Sequence, residues 1–300
     1  MQEIFGYCLE ASDAWLHKAF VFFGEGRNGK STLLKILENL VGKDNTSCVS
    51  LADIHKPFSC VSLFGKIVNI KEETPTDAIN AEAFKNLVGG GNVIAAFKGK
   101  DEFYFPCQTK FIFACNRMPQ FKDNSIALLD RLYFIDFNRY IKEQDRDRSV
   151  LNEILSKEMD GILFWSIEGL KRLLNRKYLL KHNNFNLIQS NYQLDTNSVF
   201  SFIQDELKFT EDKNHFITFR LLYEYYVDYC RRNNFALKSS RTFSRELHQI
   251  LKNKDQISFL FKEIPENFDP NDFFKHRKDS KGLRFFLFAN PQIEAHNLVG

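Results

Sequence analysis

Gly24-Glu25-Gly26-Arg27-Asn28-Gly29-Lys30-Ser31 is the stretch that decides how this chain reads. It is a complete G-x-x-x-x-G-K-S loop, and its flanks are the ones such a loop requires. Ahead of it lies the apolar run Ala19-Phe20-Val21-Phe22-Phe23, the length of a buried strand. Behind it, Leu33, Leu34, Leu37, Leu40 and Val41 recur at helical spacing. Strand, glycine loop and helix N-terminus together point backbone N–H groups at the phosphates of a nucleotide. Gly24 and Gly29 give the loop the positive-φ freedom that a close approach needs. Lys30 can reach the outer phosphates, and the Ser31 hydroxyl, with Thr32 beside it, is placed to ligate Mg²⁺. Residues 24–32 are therefore the expected site for ATP and Mg²⁺.

Downstream, the first half of the chain alternates short apolar runs with helical stretches, the pattern of a parallel α/β sheet. Strands are expected at 66–70, 110–115 and 132–137. A long helical stretch follows over 148–177, with a break near Gly161. Residues 178–197 are polar and Asn-rich, a linker or connecting helix. Three amphipathic helices then read at 199–207, 219–231 and 241–251, followed by Phe-rich strand candidates at 257–261 and 283–288. Three helices and a hairpin make a winged helix. The expected organisation is an α/β ATPase domain over 1–177, a connector over 178–197 and a winged-helix domain over 198–300.

Composition sets limits on this. The chain has 300 residues, 44% hydrophobic and 26% charged, as a globular protein with a proper core should have. Its net charge of +3 permits nucleic acid without arguing for it. Six scattered cysteines with no C-x-x-C pair read as reduced core thiols rather than a zinc or disulfide framework. The N-terminus lacks a basic signal-peptide region and no apolar run reaches the length of a membrane span, so the expected location is cytoplasmic, without a membrane partner.

An ATPase loop needs partners on neighbouring strands. Glu72-Glu73 follows the run 67–70, which assigns one carboxylate to the Mg²⁺ shell and the other to activation of water; we give Glu72 the first role and Glu73 the second, although either order is possible. Read alone, the pair could equally be a charged strand end in solvent. Asn116 closes the run 111–115, where an amide can hold the attacking water, although Asn before a Pro-containing loop is also ordinary turn chemistry. Arg131 precedes the run 132–137, where a guanidinium could be donated across a subunit boundary; most single arginines are surface residues.

In this order the residues resemble the superfamily 3 helicases, AAA+ relatives of viruses, phages and plasmids, and within them the phage, plasmid and poxvirus-type primase–helicase family. Phe64-Gly65-Lys66-Ile67-Val68-Asn69-Ile70-Lys71-Glu72-Glu73 is similar to its acidic second motif. The Gly-rich stretch Phe84-Lys85-Asn86-Leu87-Val88-Gly89-Gly90-Gly91-Asn92-Val93-Ile94-Ala95-Ala96-Phe97-Lys98-Gly99-Lys100 is similar to the motif peculiar to the superfamily. Phe111-Ile112-Phe113-Ala114-Cys115-Asn116-Arg117-Met118-Pro119 resembles its third motif, and Asp130-Arg131-Leu132 its arginine-finger region. The resemblance implies an AAA+ P-loop ATPase domain with a central parallel sheet, assembled as a homo-hexameric ring with ATP between subunits. It further implies translocation on single-stranded DNA, unwinding of forked DNA, and a primase or polymerase module in cis or in trans. Lys98 and Lys100 occupy the place of pore-hairpin lysines that grip phosphates without reading bases; Phe97 or Phe103, beside them, could stack on a base, but both are expected in the core.

Two departures stand out. Asp130 takes the position of a second Arg common in the family, leaving the finger to Arg131 alone. The 300 residues hold neither a primase region nor a helical collar in full, which suggests either the C-terminal part of a larger protein or a short stand-alone version. In the tail, Arg241 and Arg245 lie one turn apart on the expected recognition helix, with Lys238 before it and Lys275, His276, Arg277, Lys278, Lys281 and Arg284 on the expected wing, a candidate second DNA contact. Two other functions share the loop: a small-molecule kinase, which would need an acceptor pocket and in which Asn116 has no obvious use, and an ATP-switched, origin-binding initiator with little unwinding.

Overall fold

The structure is a computed structural model that describes residues 1–72, 79–121, 125–210, 219–251 and 258–261. The chain starts with α1 (Gln2–Leu9) and enters β1 (Ala19–Phe23), whose end turns through the glycine loop into α2 (Lys30–Val41). Next come β2 (Thr46–Ser47), α3 (Pro57–Cys60), β3 (Val68–Glu72) and α4 (Ala81–Val88). A hairpin of β4 (Asn92–Ala96) and β5 (Glu102–Pro106) leads to β6 (Lys110–Cys115), α5 (Ile126–Leu129) and β7 (Leu132–Asp136). Then follow α6 (Val150–Lys157), α7 (Met159–Arg176) and α8 (Phe185–Thr196).

Five of these strands form one parallel sheet in the order β2-β3-β6-β1-β7. A parallel sheet is covered on both faces, and so its central strands can be apolar throughout: all six residues of β6 and the first four of β1 are buried. Side chains alternate between faces. Ala19, Val21, Phe111 and Phe113 pack into one core with Phe84 and Leu87 of α4, Val93 of β4 and Phe105 of β5. Phe20, Phe22, Ile112 and Ala114 pack into the other with Phe5 of α1 and Leu34 and Leu37 of α2. Even Lys110 is buried; its Nζ donates to the carbonyls of Glu10 and Ser12 and lies 5.3 Å from the Tyr7 ring centroid. Register aligns Phe23 with Cys115 and Asp136, and Glu72 with Ala114, so β1, β3, β6 and β7 end along one edge.

Several boundaries differ from the sequence reading. β3 runs two residues later than the expected 66–70, because pairing with β6 from Val68 to Glu72 sets the strand, not apolar content; Glu72 is its last residue rather than its successor. The long helical stretch does break near Gly161, at Glu158, where φ is −120° and ψ −1°; Gly161 itself sits in the first turn of α7. Of the two readings of residues 178–197, linker or connecting helix, the second holds for α8, with Tyr192 buried in the first core and donating to the carbonyl of Pro119.

The chain divides into two units, Met1–Tyr192 and Gln193–Gly300. In the second, Asn197 caps α9 (Ser198–Glu206) by accepting from the N–H groups of Val199 and Phe200. Then come β8 (Leu207–Thr210), α10 (Phe219–Arg232), α11 (Ser240–Leu251) and β9 (Ser258–Phe261). The three helices match the expected ones and close over a core that includes Phe202, Tyr226, Phe243 and Leu247. β9, inside the expected strand 257–261, pairs antiparallel with β8, and Leu207 begins that strand rather than ending a helix. The strand candidate at 283–288 lies outside the described residues.

Candidate functional site

The glycine loop leaves the C-terminal end of β1 and opens onto a cavity of about 1140 Å³. Gly29, with φ 87°, is the N-cap of α2, a left-handed conformation that glycine takes freely. At Gly24 (φ 150°) a Cβ would stand 2.5 Å from the carbonyl oxygen of Phe137, so the loop must pass bare against the end of β7. The loop is fastened there: the N–H of Phe137 donates to Phe23 at 2.8 Å, and Asn28 Nδ2 donates to the Phe137 carbonyl at 3.0 Å.

Lys30 is 6% exposed. Its Nζ donates to the carbonyls of Gly24 (2.5 Å) and Glu25 (3.0 Å) and to Asn28 Oδ1 (3.0 Å). Burial pushes its ammonium below the ordinary lysine range, while Cys115 and Glu72 act the other way. Ser31 Oγ donates to Glu72 Oε2 at 2.5 Å, across 41 residues of sequence. The two expected metal ligands thus meet at the cavity, as a pair of hard oxygens. Such a pair fits Mg²⁺, which takes one or two protein oxygens and completes its shell with substrate phosphates and water. Gly26, Arg27, Thr32 and Asn116 line the same space. Glu73 lies outside the described residues.

Arg131 is elsewhere. It precedes the N-terminal end of β7, parallel to β1, and its backbone carbonyl accepts from the N–H of Ala19 where β1 begins. The loop leaves β1 at the far end, so five residues of strand, about 16 Å, separate Arg131 from the phosphate loop. The guanidinium donates from Nε to the Lys85 carbonyl (3.2 Å) and from Nη1 to that of Ala127 (2.7 Å), half-buried at the end of α4. It cannot serve the cavity of its own chain.

Lys98 and Lys100 occupy the tip of the β4–β5 hairpin, both exposed, with Gly99 at φ 74° making the turn. Phe97 is not in the core: it is 49% exposed, stacked on the half-buried Phe103 with centroids 5.6 Å apart, with Lys100 Nζ 5.9 Å from its ring. A two-stranded hairpin offers too little cover to enclose both rings. Arg241 and Arg245 are exposed on one side of α11, opposite the buried Phe243 and Leu247. Lys238 is not with them; its Nζ pairs with the buried Glu246 carboxylate at 2.6 Å. The expected basic wing lies outside the described residues.

The sequence reading missed one part of the cavity. The segment after β7 folds back over the loop, with the N–H of Ile141 donating to the Arg27 carbonyl at 2.8 Å, and brings Arg146 and Arg148 to the cavity wall. The signal was the alternating run Asp145-Arg146-Asp147-Arg148, which on its own reads as a solvated loop.

Two family models match the chain. Residues 22–131 match a family of unknown function (DUF5906), a span that takes in the loop, Glu72, Asn116 and Arg131. Residues 194–280 match the family described as Poxvirus D5 protein-like. A provisionally named helicase of Invertebrate iridescent virus 6 is 25% identical over 279 residues, which is 80% of this chain and 28% of that protein. Another of Acanthamoeba polyphaga mimivirus is 26% identical over 174 residues, 52% of this chain and 17% of that one. The chain therefore spans less than a third of either relative. Among solved structures, an apo form of the C-terminal region of NrS-1 matches with a TM-score of 0.49 and 16% identity, covering 63% of this chain and 46% of that one. No helix among the described residues is long and apolar enough to cross a membrane.

Proposed function

We propose that this chain, which belongs to the phage and viral primase–helicase family of superfamily 3 type, is an ATP-hydrolysing DNA motor that works as a ring of identical subunits. One observation carries the reading: Ser31 and Glu72 are in contact, beside Lys30 and Asn116, at one edge of the sheet, while Arg131 sits at the other. The first edge supplies everything needed to bind a magnesium–nucleotide complex and orient water. Arg131, bonded to the Lys85 and Ala127 carbonyls at the other edge, could stabilise charge on a transferred phosphoryl group only in a neighbouring subunit.

In this mechanism the loop N–H groups and the N-terminus of α2 cradle the phosphates. Lys30 exchanges its carbonyl partners for the outer phosphates, gaining charge-assisted bonds for neutral ones. Mg²⁺, held by the Ser31 hydroxyl and the Glu72 carboxylate, would neutralise phosphate charge. Glu73 takes the role of general base, and Asn116, at the end of β6, orients the water. Lys98 and Lys100 on the hairpin tips would line the ring's opening and hold single-stranded DNA by its phosphates, with no base contacts to stall movement. The second unit, with its three helices and strand pair, is assigned as a winged helix whose α11 meets duplex DNA through Arg241 and Arg245. A primase or polymerase module, joined or separate, would complete the replicative assembly.

The test is electron microscopy of the chain with single-stranded DNA and a non-hydrolysable ATP analogue. A ring threaded by DNA is expected; a monomer would overturn the reading. Lys30→Ala should abolish both ATP hydrolysis and unwinding of a forked duplex. Lys98→Ala combined with Lys100→Ala should keep basal hydrolysis and lose its stimulation by DNA, and normal unwinding by that double variant would remove the hairpin from the mechanism.

A further inference from the structure

At the mouth of the nucleotide cavity one carboxylate gathers three guanidiniums. Glu143 lies 3.1 Å from Arg148, 3.5 Å from Arg146 and 3.9 Å from Arg27. Each of the three arginines lines the cavity. Arg27 belongs to the phosphate loop, holds a left-handed φ of 64° and donates from Nη1 to the Tyr140 hydroxyl at 3.0 Å. Arg148 is flanked by a fixed point: Asp147 accepts from the backbone N–H and hydroxyl of Ser149 at the start of α6, at 2.8 and 2.7 Å. The cluster is thus anchored at both ends, by the loop on one side and by the first turn of α6 on the other.

We propose that Glu143 is a built-in stand-in for the terminal phosphate of the nucleotide, and that Arg146 and Arg148 pass from its carboxylate to that phosphate when a triphosphate binds, acting as positioning residues supplied by the same chain. This rests on the cavity being a nucleoside triphosphate site. A carboxylate and a phosphate offer guanidinium the same kind of partner, planar or forked oxygens, and the phosphate carries more charge and one more oxygen. Contacts of Glu143 with its arginines are solvent-exposed, and exposed pairs hold weakly one at a time; that suits a contact made to be exchanged. The carboxyl of Glu143 is kept below the ordinary carboxylate range by its bond to Arg148 first and then by Arg146, so it is ionised at neutral pH and competes with any incoming anion.

Competition of this kind lowers apparent affinity by the fraction of molecules in which the arginines are free. Removing the competitor should therefore tighten binding, and only for a ligand that reaches the arginines. The experiment is titration of the whole chain with a fluorescent ATP analogue and the matching ADP analogue, with melting curves to show that each variant is folded. Glu143→Gln should tighten ATP binding severalfold and leave ADP binding unchanged. Arg148→Gln and Arg146→Gln should each weaken ATP binding by about tenfold, the scale of one charge-assisted contact, and ADP binding much less; Arg148→Lys should recover part of the loss.

A structural role for the cluster would move ATP and ADP affinity together, and that result, or weaker ATP binding by Glu143→Gln, would overturn the proposal. Lys30→Ala separates the two levels. If the wild-type chain binds ATP, Lys30→Ala does not, and Glu143→Gln changes nothing, the nucleotide site stands and the stand-in falls. If Lys30→Ala binds ATP as the wild type does, both fall.

Discussion

The cavity at the edge of the sheet and the exposed face of α11 both present cations suited to phosphate, yet they are built in opposite ways. Lys30 is enclosed, bonded to three oxygens of its own loop, and its position is dictated by backbone that only particular residues can follow. Arg241 and Arg245 stand in solvent on a helix whose other side does the packing. A buried, preorganised charge acts strongly at one point and tolerates no substitution. Exposed charges act weakly, in sum, and through salt-dependent release of counterions. The cavity is where chemistry can be controlled, and α11 is where a surface can be gripped and let go.

Arg131 is the case that strains this comparison most, being half-buried and bonded to two carbonyls but on the far edge from the cavity. If it acts on a neighbour's nucleotide, Arg131→Ala should lower hydrolysis by about 10³-fold or more while leaving ATP binding by single chains intact. Mixing Arg131→Ala with Lys30→Ala chains should restore part of the activity, since some interfaces would then combine an intact loop with an intact guanidinium. Failure of complementation in assembled rings would return Arg131 to a purely structural role, tying α4 to α5.

Sequence served these regions unequally, for physical reasons. The glycine loop was legible because positive φ and close backbone approach restrict which residues can stand at Gly24 and Gly29. β1, β6 and β7 were legible because strands covered on both faces must be continuously apolar. The end of β3 was not, since hydrogen bonding to β6 carries the strand through Lys71 and Glu72, whose side chains give no apolar signal. Contact between Ser31 and Glu72 could be expected only from the order of motifs; its 2.5 Å geometry depends on β3, which ends at Glu72, lying across β6 from β1, which leads through the loop to Ser31 at the start of α2. The Glu143 cluster was invisible, because a charged loop reads as solvated until the fold lays it over the cavity. β8 gave no signal beyond Leu207, which continues the helical spacing before it, and its pairing partner lies some fifty residues away in sequence. Glu73, half of the expected acidic pair, lies outside the described residues.

Neither was there a signal for what braces the cavity from behind. α1 and α7 cross closely at two glycines: a Cβ on Gly6 would lie 2.3 Å from the Ser166 carbonyl oxygen, and one on Gly169 2.4 Å from that of Gln2. Both obstacles are backbone and cannot swing aside. Gly6→Ala should destabilise the first unit by about 1–3 kcal/mol, the usual result of overpacking. Hydrogen exchange read separately in the two units would check this, with faster exchange expected in α1, α7 and the neighbouring α2. Exchange in α10 and α11 should stay as in the wild type. Equal loss of protection in α11 would mean that the two regions do not differ in what supports them.

The smallest effect expected is the one that best tests the exposed half of the comparison. Arg241→Ala with Arg245→Ala removes no buried contact, so the melting of the second unit should not change. If the face meets duplex phosphates, each contact releases counterions, and losing two should reduce the salt slope of duplex affinity by about two. The loss should be the same on unrelated sequences, because phosphate contacts carry no base information. Lys238→Ala provides the contrast within a few residues of the same helix: its ammonium pairs with the buried Glu246, so its removal should cost stability and leave the salt slope alone. If instead the arginine pair changes affinity at one sequence only, α11 reads bases, and the second unit selects sites rather than merely holding duplex for a motor.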